Sequence, residues 1–150
     1  MINLAIYKPD IPQNTAAIIR LAACFSLKLH IIEPCSFSLD DSRFKRVAMD
    51  YRKLCKILRY PDYEKFITSN LKSRIILMTT KAKNSYFSFN FKKDDIILLG
   101  RESAGVPDKI HKEVKFRLKI PINKETRSLN VATTAAMVVS IALKNIKSVK

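Results

Sequence analysis

Two apolar runs of strand length, RIILMT at Arg74–Thr79 and DIILLG at Asp95–Gly100, set the strongest limit on how this chain folds. Neither alternates polar with apolar residues, so neither suits a sheet that turns one face to water. Continuous runs of this kind suit central parallel strands buried on both faces. Helical segments alternate with the strand-like ones along the rest of the chain, which gives an α/β fold with a parallel sheet flanked by helices. A length of 150 residues is enough to bury a continuous core without a metal or disulfide framework. With no internal repeat, low-complexity stretch or linker in view, residues 1–150 read as a single domain.

The other elements follow from local signals. Asn3–Tyr7 (NLAIY) reads as a buried strand, followed by a loop punctuated by Pro9 and Pro12. Asn14 can cap a helix through Phe25, with Ile18, Leu21, Ala22 and Phe25 at helical spacing. Lys28–Ile32 (KLHII) is a second strand that stops near Pro34. Asp40–Ala48 suits a short helix with an acidic start, as the helix dipole prefers. Leu54–Tyr60 reads as a strand, and Pro61 starts a helix through about Ser69. Pro107–Glu113 is a short helix and Arg117–Ile120 a strand. Leu129–Lys144 is a closing helix with Val131, Ala135, Val138 and Ala142 on one stripe.

Charge narrows the function classes without bearing on fold. The chain carries 28 Lys and Arg against 13 Asp and Glu, a formal charge of +15. Residues 1–50 are almost balanced, with six basic and five acidic side chains, whereas each later third carries eleven against four. This excludes a basic tail and points to a charged surface facing a polyanion, either nucleic acid or an anionic membrane. No apolar run approaches the ~20 residues of a membrane span. The start, MINLAIYKPD, lacks the basic-then-apolar order of a secretory signal. Cys24, Cys35 and Cys55 have no CxxC spacing and read as reduced, partly buried thiols of a cytoplasmic protein.

Three polar clusters each follow an expected strand: IPQNTAAIIR (11–20), LLGRESAGVP (98–107) and KIPINKETRSLNVATTAA (119–136). Ligands collect at the carboxyl ends of strands in open α/β sheets, so this placement already suggests a site. None of the clusters is GxGxxG, a P-loop or a metal-ligand pattern. His30 and His111 offer no general-base constellation, and His30, inside a strand, reads as packed or capped. The chain has only two glycines, Gly100 and Gly105, and both fall in the second cluster.

In order and spacing these clusters resemble the three motifs of the SPOUT class of RNA methyltransferases, in its SpoU branch. Within that branch the likeness is to the small enzymes that methylate the ribose of the wobble nucleotide, position 34, of leucine tRNAs. It runs from NLAIYKPDIPQNTAAIIR through LHIIEP, DDSRFKRVAMDY and MTTK to the third cluster. The resemblance implies a SPOUT fold with a C-terminal trefoil knot, S-adenosylmethionine as cofactor, no metal, and a homodimer whose site borrows residues from both subunits. The implied partner is the tRNA anticodon loop, with cytidine or modified uridine at position 34.

By family position, Met78, Gly100, Ile120 and Ser128 line the cofactor pocket. Gly100 would let the main chain approach the ligand, although a strand-to-turn glycine gives the same pattern. Arg20 stands where the family keeps an essential arginine. A guanidinium does not release its proton near neutral pH, so two roles stay open: a general base assisted by RNA phosphate, or a cationic clamp that stabilises developing alkoxide. Asn14 would orient Arg20 or the substrate, and Ser128 and Asn130 would face cofactor and ribose. As bland readings, Asn14 and Ser128 are also N-cap residue types. Glu102 reads as a structural acid paired with a nearby base.

Some positions depart from the family pattern. Ala16 replaces a first-motif glycine, which would alter close approach by substrate. Ser140 replaces an aromatic residue of the last helix, and the tail after that helix is short. The chain begins directly at the first strand, which favours the minimal enzyme over larger relatives with an added RNA-binding domain. Two alternatives remain: a 2′-O-methyltransferase for another tRNA or rRNA ribose, and a non-catalytic basic RNA-binding module. A membrane role is weaker, because no expected helix sets its lysines opposite a strong apolar face.

Overall fold

The computed structural model describes residues 1–147, so the last three residues of the expected domain, and with them the short tail, lie outside the described residues. One sheet contains β1 (Asn3–Tyr7), β2 (Lys28–Ile32), β3 (Lys56–Tyr60), β4 (Ile75–Met78), β5 (Asn84–Ser85), β6 (Ile96–Leu99) and β7 (Phe116–Lys119). Its order is β3-β2-β1-β6-β4-β7-β5, and every pairing is parallel. The helices are α1 (Pro12–Cys24), α2 (Ser42–Ala48), α3 (Tyr51–Leu54), α4 (Tyr63–Ser69), α5 (Asp108–Glu113) and α6 (Val131–Lys147).

The two apolar runs become the central strands β4 and β6, side by side with Ile76 opposite Ile97 and Met78 opposite Leu99. Side chains alternate across a strand, and here both faces are covered. Leu4, Ile6, Leu29, Ile31, Ile76 and Leu99 pack on one face with Ile18, Ile19 and Ala22 of α1 and Ala135, Val138 and Ala142 of α6. Ala5, Ile32, Leu77, Ile96 and Leu98 pack on the other with Phe66 of α4 and Ile110 of α5. This double coverage is why neither run shows polar alternation.

At the amino-terminal edge, buried Asp95 holds the start of both central strands. Its carboxylate accepts two bonds of 2.7 Å from Arg74 and one of 2.7 Å from the Lys92 backbone N–H. The Arg74 guanidinium stands over the rings of Phe89 and Phe116, 5.4 and 5.1 Å from their centroids. A buried carboxylate is tolerable only with such a full set of partners.

The structure corrects several expectations. Helix α1 begins at Pro12, whose fixed φ suits the first helical position, so its N-cap is Ile11 and Asn14 lies inside the first turn. Asp62, not Pro61, starts α4, because its carboxylate accepts from the Lys65 N–H at 2.7 Å. Likewise Asp41 caps α2 through the Arg43 N–H at 2.7 Å. Strand β3 begins at Lys56, since residues 51–54 form the helical turn α3. The two-residue β5 and the 3-10 turn at Tyr86–Ser88 had no sequence signal long enough to read. All three cysteines are free thiols, and Cys24, expected to be partly buried, is exposed near the end of α1.

His30 is packed, as its place in a strand suggested. It lies parallel to the Tyr60 ring at 5.6 Å, edge-on to Phe66, and its Nδ1 is 2.9 Å from the Tyr60 hydroxyl. Burial first, and the Lys28 charge second, lower its pKa from 6.5 to about 4. The unfolded chain therefore takes up this proton near pH 6.5 while the folded protein refuses it until about pH 4. That portion of the stability is present at neutral pH and lost as pH falls through this window. Urea unfolding at pH 7 and pH 5 should show a drop in the wild type that is smaller in His30→Leu; identical pH dependence in both proteins would contradict the assignment.

Candidate active site

The chain turns back on itself at the sheet. It runs outward from β1 to β2 and β3, then crosses to place β4 on the far side of β6. Loops leaving strands on either side of such a reversal diverge, and the crevice between them is where α/β sheets bind ligands. A cleft of about 660 Å³ opens there, at the carboxyl ends of the neighbouring strands β1, β6, β4 and β7. Its walls are Met78 to Lys81 after β4, Gly100 to Val106 after β6, and Ile120, Ile122 and Arg127 to Asn130 after β7. Ile11 and Asn14 of α1 complete the rim. The size suits a nucleoside-sized ligand.

Two carboxylates hold the first and second clusters together by exchanging partners. Asp10, in the first loop, accepts from the Arg101 guanidinium, from the Ser103 backbone N–H at 3.0 Å and from the Ser103 hydroxyl at 2.7 Å. It also accepts from the Ser36 hydroxyl at 2.8 Å. The Arg101 bond, with the Ser103 and Ser36 contacts behind it, holds the Asp10 carboxyl well below the usual range despite partial burial. Glu102, in the second loop, reaches back in the opposite direction. It accepts from the backbone N–H groups of Asp10 at 2.8 Å and Ile11 at 3.3 Å, and from the Asn14 side-chain amide at 3.3 Å.

The third cluster joins through two asparagines. Asn130 donates its amide to Asn14 Oδ1 at 2.9 Å. Its own carbonyl oxygen accepts from the N–H groups of Ala132 and Thr133 at 2.9 and 3.1 Å, so Asn130 is the N-cap of α6. The series Glu102, Asn14, Asn130 and α6 thus spans all three clusters. Ser128 is not the cap; it lines the cleft two residues earlier. Glu102 pairs with backbone and amide donors, and the adjacent base, Arg101, is taken by Asp10.

Met78, Gly100, Ile120, Ser128, Asn14 and Asn130 all meet at this cleft. Arg20 does not. Six residues of α-helix rotate it about 120° from Asn14 and carry it ~9 Å along the axis. There it is exposed, with its guanidinium 4.8 Å from the centre of the Tyr51 ring. Ala16 is buried in the core beneath α1, so its methyl group packs inward and the cleft is not narrowed by it. Ser140 is exposed on α6.

Sequence reading missed Asp10 and Arg101, which lie 91 positions apart, and it missed a cleft-lining pair, Thr79 and His111. Thr79 Oγ1 and His111 Nε2 are 2.8 Å apart. Burial, with Lys81 and Arg117 nearby, lowers the His111 pKa, which leaves a neutral ring at pH 7. Among the described residues no group of three or more His, Cys, Asp or Glu could hold a metal ion, and no helix is long and apolar enough to cross a membrane.

Both glycines serve one tight hairpin. Arg101 and Gly105 exchange backbone bonds of 3.0 and 2.8 Å, and Gly105 has φ +65°. A Cβ on Gly100 would stand 2.6 Å from the Gly105 Cα and 2.8 Å from its carbonyl carbon. The close approach that requires a glycine here is therefore to Gly105, and it shapes one wall of the cleft. Gly100→Ala forces backbone to move, for which about 1–3 kcal/mol is the usual cost of overpacking. Urea titration should show that loss; wild-type stability would mean that the hairpin relaxes freely.

Comparison with known proteins agrees with this geometry. The SpoU rRNA Methylase family matches residues 1–140. A tRNA (cytidine(34)-2′-O)-methyltransferase of Beijerinckia indica is 43% identical over 145 residues, which cover 95% of this chain and 91% of that protein. A solved structure concerned with the 2-OH methylation of C/U34 on tRNA superposes with a TM-score of 0.94 at 28% identity, covering 99% of this chain and 97% of that one. An AdoMet-bound rRNA methyltransferase from Sinorhizobium meliloti shares the fold, with a TM-score of 0.85 at 20% identity over 95% of this chain and 56% of that one. The chain belongs to the SpoU rRNA Methylase family.

Proposed function

We propose that this protein transfers a methyl group from S-adenosylmethionine to the ribose 2′-hydroxyl of the wobble nucleotide, position 34, of leucine tRNAs, cytidine or modified uridine. The observation that carries the reading is the strand-end cleft in which five residues from all three motifs converge with Met78 of β4. The name of the Beijerinckia relative, 43% identical over nearly the whole chain, supports position 34. The enzyme acts in the cytoplasm as one SPOUT domain over residues 1–150. Its loops after β6 and β7 form the trefoil knot of the family.

The cleft fits the cofactor in size and in lining. Met78, Leu99, Ile120, Ile122 and Leu129 offer apolar walls, while Met78, Gly100 and Ile120 stand at strand ends, where loops expose backbone N–H and C=O groups to a nucleoside, and Ser128 lines the cleft from the loop before α6. When bound, S-adenosylmethionine supplies an electrophilic methyl group on its sulfonium. The protein's part is to hold the acceptor hydroxyl in line with that group, and orientation of this kind can provide several kcal/mol. Asn14 and Asn130, fixed to each other and to Glu102, present the rim against which the ribose is positioned.

Arg20 points away from the cleft of its own chain, so its role requires a second copy. In a homodimer it reaches the partner's cleft and acts as a cationic clamp: it holds a substrate phosphate and stabilises the alkoxide as the 2′-hydroxyl passes its proton to solvent water. Preorganised charge of this kind is worth about 10²–10³ in rate.

Incubation with labelled S-adenosylmethionine and unmodified leucine tRNA, followed by mapping of the methylated nucleotide, tests the assignment. Label at the ribose of nucleotide 34 is expected, with Arg20→Ala lowering kcat about 10²–10³-fold and leaving cofactor affinity near that of the wild type. Label at another ribose would move the target, and cofactor binding without transfer to any tRNA would overturn the reading.

A further inference from the structure

A run of positive charge that begins in the near-neutral first third of the chain and continues into the second stands beside Arg20. Between Arg43 and Lys56 there are six basic residues and one acidic residue, Asp50. Five of them belong to α2 and α3, which pack against α1 through Phe44, Ala48 and Tyr51, and Lys56 opens β3. Two of the six are already engaged. Arg43 pairs with Asp41 at 3.3 Å, and Arg52 pairs with Asp40 at 3.2 Å. Asp40 is shared with Arg59 at 3.1 Å, so it has little charge left to offer. Among the described residues no acidic side chain pairs with Lys45, Arg46, Lys53 or Lys56.

The geometry connects these cations to the proposed chemistry. Lys45 and Lys53 line a shallow depression between α2 and α3, together with Met49, Asp50 and Arg52. Tyr51, the first residue of α3, is the ring under Arg20. A strand with one phosphate at Arg20 therefore has uncommitted cations along its path. Basic residues at the opposite side of the sheet are less available: Lys109 lies between Glu64 and Glu113, Lys81 faces Asp108, and Arg117 donates to the His111 carbonyl.

We infer that Lys45, Arg46 and Lys53 form a phosphodiester clamp for the RNA strand that flanks the target ribose. The inference rests on the methyl-transfer reading above and names where the substrate is held. Each phosphate released from counterions by a single-stranded contact contributes about 0.7 to the slope of log affinity against log salt. Three contacts should therefore account for about 2 of that slope.

An anticodon stem-loop RNA titrated across a KCl series, against wild type and the K45Q/R46Q/K53Q variant, tests the clamp. The variant should bind at least about ten-fold more weakly at low salt, with a slope smaller by about 2. Its S-adenosylmethionine affinity should stay unchanged, and K45R/R46K/K53R should bind like the wild type. A slope equal to that of the wild type, or an equal loss in K109Q/K112Q/K115Q, would overturn the proposal. Should the glutamine variant fail to fold, acetylation of the wild type with and without RNA reads the same surface. Protection of Lys45 and Lys53 supports the clamp, and unchanged reactivity overturns it. Wild-type RNA binding without any methyl transfer would remove the activity and leave the clamp standing, so the two failures are separable.

Discussion

The site depends on a carboxylate that bonds backward. Glu102 leaves the loop after β6 and accepts the N–H groups of Asp10 and Ile11, at 2.8 and 3.3 Å, just where α1 begins. Those N–H groups precede the helix and have no intrahelical partner, so a carboxylate there satisfies donors and complements the positive end of the helix dipole. Asp10 returns the favour by accepting from Arg101 and Ser103 in the loop that carries Glu102. Each loop is thus fixed by a side chain of the other. Asn14 and Asn130 extend the same network to α6, so the third loop is set by the same contacts.

The sheet supplies the reason that these loops meet at all. Because β6 lies between β1 and β4, the strands bearing the first, second and third clusters are close neighbours with parallel direction, and their carboxyl ends share one edge. The Arg74–Asp95 pair secures the opposite edge, where the central strands start. The Gly100–Gly105 hairpin then folds back tightly enough to leave a cleft in place of a long, mobile loop.

Much of this was legible in the sequence, and the parts that were not share a physical cause. Uninterrupted apolar runs identify β4 and β6, because burial on both faces leaves no place for polar alternation. The punctuation of Pro107 and the helical stripe from Ala135 to Ala142 locate helices, and two glycines in one short motif mark the turn after β6. The roles of individual polar residues were harder. Asn14 and Ser128 have good capping chemistry, yet Pro12 starts α1 early and Asn130, nearer to α6, takes the cap. Glu102 looks like half of an ion pair until the fold places backbone donors closer than any base. Asp10 finds Arg101 across 91 positions, a distance that no local pattern reports. Ala16 occupies a position suspected of touching substrate, and packing turns it inward.

Within the proposed activity, the same network explains how a chain without metal-ligand clusters among its described residues can position a ribose. Asparagine side chains are donors and acceptors at once, so Asn14 and Asn130 can hold each other and still offer groups to a ligand. Their mutual bond is the link between the α1 and α6 sides of the cleft. A double-mutant cycle of Asn14→Ala and Asn130→Ala, read as S-adenosylmethionine affinity by calorimetry, tests that link directly. Contacting residues in one network couple by about 0.5–3 kcal/mol, so the double variant should lose clearly less affinity than the two single losses combined. Strictly additive losses would contradict a cleft held together by this relay.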